Sequence, residues 1–278
     1  MSFKNNAIVV KLTIRAFAGR KKDHTATDKV QSEYLMSRDS GQYTKRLFPN
    51  CEELKRITKI AADIRNWSYK ASLPWFQDGS RVLRSDQYLD FATAFQVRKQ
   101  EFDSAVDQFA SAYPACKANA SLKLGRLYDE SDYPHHAEIK DLFSCEISFL
   151  PVPDLGDFRV ELSECERENF LAQMHETESL AMQDCFRRLH DVCAKAVGAL
   201  GRPGGVIRES LIQNIKDVCE VLPTLNITDD PMLEQLRTQI DTVAQSINVV
   251  DCRESDTIRL QAKQSLAAAM DKMSAFMG

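Results

Sequence analysis

Between Ser163 and Leu200 the chain contains no proline, and its apolar residues recur with helical spacing. Met182, Cys185, Leu189, Val192, Ala196 and Ala199 follow one another at alternating three- and four-residue steps, the spacing of a heptad seam. A strand buries every second residue, so this stretch is incompatible with a sheet and demands a helix packed against other helices. Its start is written in the sequence as well. Ser163-x-x-Glu166 is a capping box, in which the serine hydroxyl accepts from an orphan amide and the glutamate reaches back to the serine amide.

Downstream, the same logic predicts three more helices. Residues 206–222 carry Ile207, Leu211, Ile215 and Val218 up to Pro223, and Asp230-Pro231 opens a helix to 248 with Leu233, Leu236, Ile240, Val243 and Ile247. Residues 255–277 carry Ile258, Ala262, Leu266, Met270 and Met273. Short connections between helices favour antiparallel neighbours, so 164–278 is expected to form a helical bundle with heptad-like seams.

The front of the chain reads differently. Residues 7–17 alternate partly, with Ile8, Val10, Leu12 and Ile14 opposed to Lys11 and Arg15, which is the pattern of a half-buried strand. The segments 145–150 and 158–162, joined by Pro151–Asp157, are expected to form an antiparallel hairpin that completes a small sheet. Residues 18–50 read as a long polar loop. Asn50 is placed to cap a helix whose stripe is Leu54, Ile57, Ile60, Ala61, Ile64 and Trp67, and Ser85 to cap one carrying Phe91, Phe95, Phe102 and Phe109 as far as Pro114. Two shorter helices are expected over 116–128 and from Tyr133-Pro134 to Phe143. The fold class is therefore mainly α with a small antiparallel β element (α+β), divided into an α+β region 1–163 and a helical bundle 164–278.

No apolar run reaches the roughly 20 residues that a membrane span needs, and the opening segment is interrupted by Lys11 and Arg15, so a cytoplasmic location and no membrane partner are expected. Eight scattered cysteines with no C-x-x-C pair read as free thiols.

The formal charge of −4 hides an asymmetry. Residues 1–100 hold 19 Lys and Arg against 10 Asp and Glu, a balance of +9, and residues 101–278 hold 17 against 30, a balance of −13. A basic front and an acidic back point to a polyanion-binding face or to head-to-tail association.

Motifs that carry chemistry are missing. There is no G-x-x-x-x-G-K-[ST] loop, no G-x-G-x-x-G after a strand and no G-x-S-x-G elbow. The loop Gly201–Gly205, with Arg202 and Arg208, offers an anion a helix start, but ordinary turns look the same. His190 with Cys193, and the adjacent His135 and His136, do not supply the four ligands of a structural zinc site. No catalytic residue, metal site or cofactor is assigned from the sequence.

Nucleic acid is the better-supported ligand. Arg15, Arg20, Lys21, Lys22, Lys29, Lys45 and Arg46 lie in the basic front, with Tyr34 and Tyr43 among them. Cations with interleaved aromatic rings are the composition of a single-strand binding groove. The tryptophans Trp67 and Trp75 read instead as core.

Three stretches carry a resemblance: FAGRKKD-x-x-AT at 17–27, LPWFQDGSRVL at 73–83, and YDESDYP at 128–134 followed by FLPVPDLGDFRVEL at 149–162. Together they resemble an uncharacterised family, a domain of unknown function, of bacteriophages, plasmids and integrative elements. Members are often encoded near a MoxR-type AAA+ ATPase and a von Willebrand factor A-type protein. The resemblance spans most of 8–165 and implies no catalytic residue. What it implies is a non-enzymatic subunit of a larger assembly, either a homo-oligomer or a partner of an AAA+ ATPase. The alternative expectation is a protein that binds single-stranded nucleic acid during recombination.

Overall fold

A computed structural model of the chain describes residues 3–76, 78–157, 161–202 and 207–274. In chain order the elements are α1 (Phe3–Asn6), β1 (Ala7–Arg15), β2 (Arg20–Lys22), α2 (His24–Glu33), β3 (Thr44–Arg46), α3 (Glu52–Lys70), β4 (Leu73–Pro74), β5 (Arg81–Arg84) and α4 (Tyr88–Leu124). They continue with β6 (Ser144–Pro151), α5 (Glu164–Leu200), α6 (Glu209–Leu225), α7 (Pro231–Ser246), α8 (Val249–Glu254) and α9 (Asp256–Ser274). The fold is mainly helical with a small antiparallel sheet and a C-terminal helical bundle, as its sequence pattern demands.

Two compact units are interleaved along the chain. Unit 1 gathers Met1–Lys11, Trp67–Phe91 and Ser148–Gly278, and unit 2 gathers Leu12–Asn66 and Ala92–Ile147. The boundary expected at 163 is not where the chain divides, because the bundle takes its missing apolar partners from the first residues and from 67–91.

In unit 1, α5 packs against α6 and α9, α6 against α7, and α7 against α9. Phe3, Ala7, Val9, Leu73, Trp75 and Val82 belong to the same buried core as these helices. Phe3 stacks on Trp75 with ring centroids 5.4 Å apart. The capping box of Ser163 and Glu166 forms as read. Along α5 the buried residues include Met174, Thr177, Ala181, Cys185, Leu189, Cys193, Ala196 and Leu200, a seam of three- and four-residue steps in which Cys185, Leu189 and Ala196 fall as read while Met182, Val192 and Ala199 are only half-buried.

The main sheet has the order β4-β5-β1-β6. Ala7 to Val10 of β1 run antiparallel to Arg84 to Arg81 of β5, and Leu73 lies opposite Val82. β6 covers the strand expected at 145–150, and β4 and β5, too short to read from periodicity, complete the sheet in place of a second hairpin strand. Residues 158–160 of that hairpin lie outside the described residues, and 161 and 162 are not in a strand.

Unit 2 is built on α3 up to Asn66 and on α4 from Ala92. Leu54, Ile57, Ile60, Ala61 and Ile64 are buried along α3, and Phe95, Phe102, Phe109 and Tyr113 along α4. Phe48 meets Phe109 and Tyr133 edge-on at 5.7 and 5.3 Å. Residues 18–50 are not one loop, since β2 pairs antiparallel with β3 and α2 lies between them, capped by the Asp23 side chain on the Ala26 amide. Asn50 sits at φ 61°, before α3 and not as its cap. Ser85 likewise opens a short 3-10 turn ahead of α4.

Prolines misled the boundaries in two places. α4 continues through Pro114 and α6 through Pro223. A proline costs one backbone hydrogen bond and crowds the preceding turn, which strong packing of Phe109, Tyr113 and Leu222, Leu225 on either side outweighs. The helix expected after Pro134 is a 3-10 segment over His136–Leu142.

Gly19 sits at φ +60°, and a Cβ there would approach Leu54 Cδ2 to 2.7 Å. Gly19→Ala should therefore lower stability by about 1–3 kcal/mol through backbone strain and this contact. Urea denaturation measures it, and a midpoint equal to wild type refutes the assignment.

All eight cysteines are free, and Cys165 alone is exposed. Burial pushes the thiols of Cys185, Cys193 and Cys219 up to about 12 and that of Cys145 up to about 11. A thiol reagent at neutral pH should modify about one group, Cys165, in the folded protein, and the others only after denaturation without prior reduction. Rapid modification of several groups in the native state would contradict this packing.

Candidate functional site

The strand alternation of the small β2–β3 ribbon sorts the basic front into two faces. Arg20 lies opposite Arg46, Lys21 opposite Lys45, and Lys22 opposite Thr44. Because successive side chains point to opposite faces, Lys21 and Lys45 share one face and Arg20, Lys22 and Arg46 the other.

The first face turns onto carboxylates. Lys45 is only 6% exposed, with Nζ 2.5 Å from Asp132 Oδ2 and 3.1 Å from Asp23 Oδ2, and it donates to the Leu127 carbonyl at 2.8 Å. Lys21 reaches Asp132 Oδ1 at 2.6 Å. Burial opposes the ionised form of Asp132, but Lys21 and Lys45 overcome it and hold the carboxyl below its ordinary range. Asp23 is lowered by the Ala26 amide and then by Lys45. For Lys45, the loss of solvent is more than compensated by the two carboxylates, so its ammonium titrates above its usual value. Lys45 is thus a structural cation with its charge already matched and is withdrawn from any phosphate.

The opposite face is free of such pairing among the described residues. Arg20, Lys22 and Arg46 are exposed, as are Lys29, Tyr34 and Tyr43, with Tyr34 70% exposed. Arg15 is exposed too, but its guanidinium donates to the Asp141 carbonyl. Of the nine residues read as a nucleic-acid face, six remain outward, one is tied to a carbonyl, and Lys21 and Lys45 are bound to carboxylates.

The stretches that carry the resemblance have structural work in common. FAGRKKD supplies Gly19, Lys21 and Asp23, and YDESDYP supplies Asp132 to the same ion cluster and the Tyr133 hydroxyl that donates to the Leu47 carbonyl at 2.8 Å. In LPWFQDGSRVL, Asp78 accepts from the Ser80 amide at 2.9 Å to close the turn between β4 and β5.

Within unit 1, Arg81 and Arg188 converge on the end of α3. Arg188 donates to the carbonyls of Tyr69, Lys70 and Ser72 at 2.7–2.8 Å and to Asp184 Oδ2 at 2.7 Å. Arg81 donates to Ser72 Oγ and to the Tyr69 carbonyl. Asp184 is buried and also pairs with Arg187. Burial, with the like charge of Arg188 beside it, pulls the Arg81 guanidinium down to about 10, and Asp184 works in the opposite direction. The last carbonyls of a helix need donors, and these two arginines provide them.

From this cluster a groove of about 580 Å³ runs between α5 and α6. Val192, Leu211, Val218, Val221, Leu222 and Leu225 line its floor. Lys70, Arg187, Lys195, Asp191 and Asp217 stand among its lining charges. Counting Arg81, Arg188 and Asp184, the lining holds five cations against three carboxylates. This is at odds with the unit around it, which carries 18 Lys and Arg against 24 Asp and Glu, whereas unit 2 carries 18 against 16. Cutting the chain at residue 100 had exaggerated the charge asymmetry, because the folded units draw on both halves.

No family model, curated protein or solved structure matches this chain. The groove was hidden in the sequence because its floor, half-buried at Val192, Leu211, Val218 and Val221, is the edge of two stripes that read as ordinary core. The i, i+3, i+4 recurrence of Leu211, Val218, Val221 and Leu225 was the one available signal. Among the described residues no helix is long and apolar enough to cross a membrane.

Proposed function

We propose that the protein is a non-enzymatic subunit of a larger assembly, and that the α5–α6 groove receives an amphipathic segment of a partner protein carrying apolar and acidic side chains. The supporting observation is a cationic lining over an apolar floor in a unit whose net charge is negative. An amphipathic helix laid in such a groove buries its apolar face on the floor and sets carboxylates against Lys70 and Lys195. The arginines deeper in the groove are occupied by carbonyls and Asp184, so the recognising charges are those of the rim. From the resemblance, the partner classes to examine are a MoxR-type AAA+ ATPase and a second copy of the chain.

The test is the double variant Lys70→Glu with Lys195→Glu. Light scattering reads self-association, and a titration against the purified ATPase reads the heteromeric complex. The reading expects at least a tenfold loss in one of the two assays while the circular dichroism spectrum stays helical. Unchanged behaviour in both assays overturns it.

A second reading is favoured by the outward face of β2–β3, where Arg20, Lys22 and Arg46 accompany Lys29, Tyr34 and Tyr43. If this face tracks a single strand, affinity falls steeply with salt as counterions are released. Arg20→Glu, Lys22→Glu and Arg46→Glu together abolish binding without touching the buried pairs, and Tyr34→Ala costs about 1–3 kcal/mol if the ring stacks on a base. Fluorescence anisotropy with labelled oligonucleotides at two salt concentrations measures both, and binding that is absent or insensitive to salt removes this reading.

A further inference from the structure

One cluster in unit 2 is assigned to nothing above. Cys51 precedes α3, Glu53 lies in the first turn of that helix, and Cys116 comes two residues after Pro114 on α4. Cys51 Sγ is 3.3 Å from Cys116 Sγ and 3.3 Å from Glu53 Oε2, and Cys116 Sγ is 3.7 Å from the same carboxylate oxygen. Among the described residues this is where three potential ligand atoms from Cys, His, Asp or Glu come together.

We propose that Cys51, Glu53 and Cys116 form a three-ligand site for a thiophilic divalent ion of the zinc class, with a fourth position left open. The argument is first geometric. A tetrahedral ion with bonds of about 2.3 Å to sulfur and about 2.0–2.2 Å to oxygen has ligand–ligand edges of about 3.5–3.8 Å. The three observed edges lie at or just below that range, so a single ion satisfies all three atoms with small side-chain adjustments. A disulfide, by contrast, requires the sulfurs at about 2.05 Å, which asks for a much larger approach.

Chemistry agrees with geometry. Two thiolates select a soft or borderline ion over magnesium or calcium, which prefer all-oxygen shells. The helix start helps, since the Leu54 amide bonds to the Cys51 sulfur and favours its anionic form. Binding releases the two thiol protons, so affinity rises with pH. Access is available from the Cys116 side, which is half-exposed while Cys51 is buried. In the sequence the pair was invisible, because Cys51 and Cys116 are far apart in the chain and neither belongs to a spaced motif.

Cobalt titration of the full-length, reduced protein tests the proposal. The expected result is about one Co²⁺ per chain with the intense visible band of a tetrahedral site and near-ultraviolet thiolate charge transfer, both displaced by zinc. The wild-type spectrum reports thiolate coordination by itself, so the test stands even where a variant folds poorly. Cys51→Ser and Cys116→Ser should each lose the charge-transfer band, Glu53→Gln should weaken binding by on the order of tenfold, and Cys165→Ser should change nothing. Three outcomes overturn the proposal: no tetrahedral band at saturating cobalt, a band that survives in the Cys51→Ser, Cys116→Ser double variant, or reduced protein that takes up no metal although Cys51 and Cys116 form a disulfide in air.

Discussion

Lys45→Met is expected to destabilise the protein by about 3–5 kcal/mol, the cost of removing one partner from a buried ion pair and stranding the other. Asp132, 5% exposed, would keep only Lys21, and Asp23 would lose its cation. The methionine fills the aliphatic space of the lysine, so the loss reports charge and not a cavity.

The pH dependence follows from the signs. Asp132 and Asp23 titrate below the ordinary 3.8, so their contribution is present above that value and is lost as pH falls through their lower folded values. Lys45 titrates above the ordinary 10.5, so its contribution is full below that value and is lost as pH rises past the folded one. Between these limits the gap between wild type and variant is widest. It narrows in acid, because Asp132 in the variant escapes its penalty by taking a proton. Denaturant midpoints at pH 3.5 and pH 7 measure the gap. A gap of the same size at both, or one below about 1 kcal/mol at pH 7, would show that the cluster is not a buried pair.

Asp184→Ala should cost a similar 3–5 kcal/mol by the mirror-image mechanism. It removes the carboxylate that pairs with Arg188 and offsets the mutual repulsion of Arg81 and Arg188 in a partly buried site. Adding Arg81→Met to that variant relieves the repulsion and should recover part of the loss, a coupling that a double-mutant cycle isolates. If the two losses simply add, the arginines do not sense each other through Asp184. Arg188→Met, which orphans the Lys70 carbonyl and leaves those of Tyr69 and Ser72 to Arg81 alone, offers an independent check on the same junction.

Periodic features were legible in the sequence, and features made by distant pairing were not. The stripes of α3 and α7 and the capping box of Ser163 come from local spacing and appear where spacing puts them, whereas the buried faces of α5 and α6 are turned partly away from the stripes read for them. Two-residue β4 and four-residue β5 offer no period to read, and they pair only because Leu73 and Val82 have a core to enter. The helix through Pro114 shows tertiary packing overriding a local breaker. For the basic front, composition located the cations but could not tell Lys45 from Lys22, since that distinction depends on Asp132, far along the chain. Cys51 and Cys116 are the extreme case, two unremarkable cysteines until α3 and α4 are brought side by side.

The interleaving of the two units bears on how the protein emerges from the ribosome. Every residue of unit 2 lies between Leu12 and Ile147, so that unit has all its parts while the C-terminal helices are still being translated. Unit 1 cannot close then. Phe3, Ala7 and Val9 are made well before Leu189, Ile215 and Leu266, and the core they share is completed only when α9 has been made. The opening segment must therefore wait, with apolar side chains uncovered, through most of synthesis. A nascent chain in that state is the form most exposed to aggregation and most in need of a chaperone, and the same dependence means that residues 164–278 expressed alone should lack part of their core and precipitate.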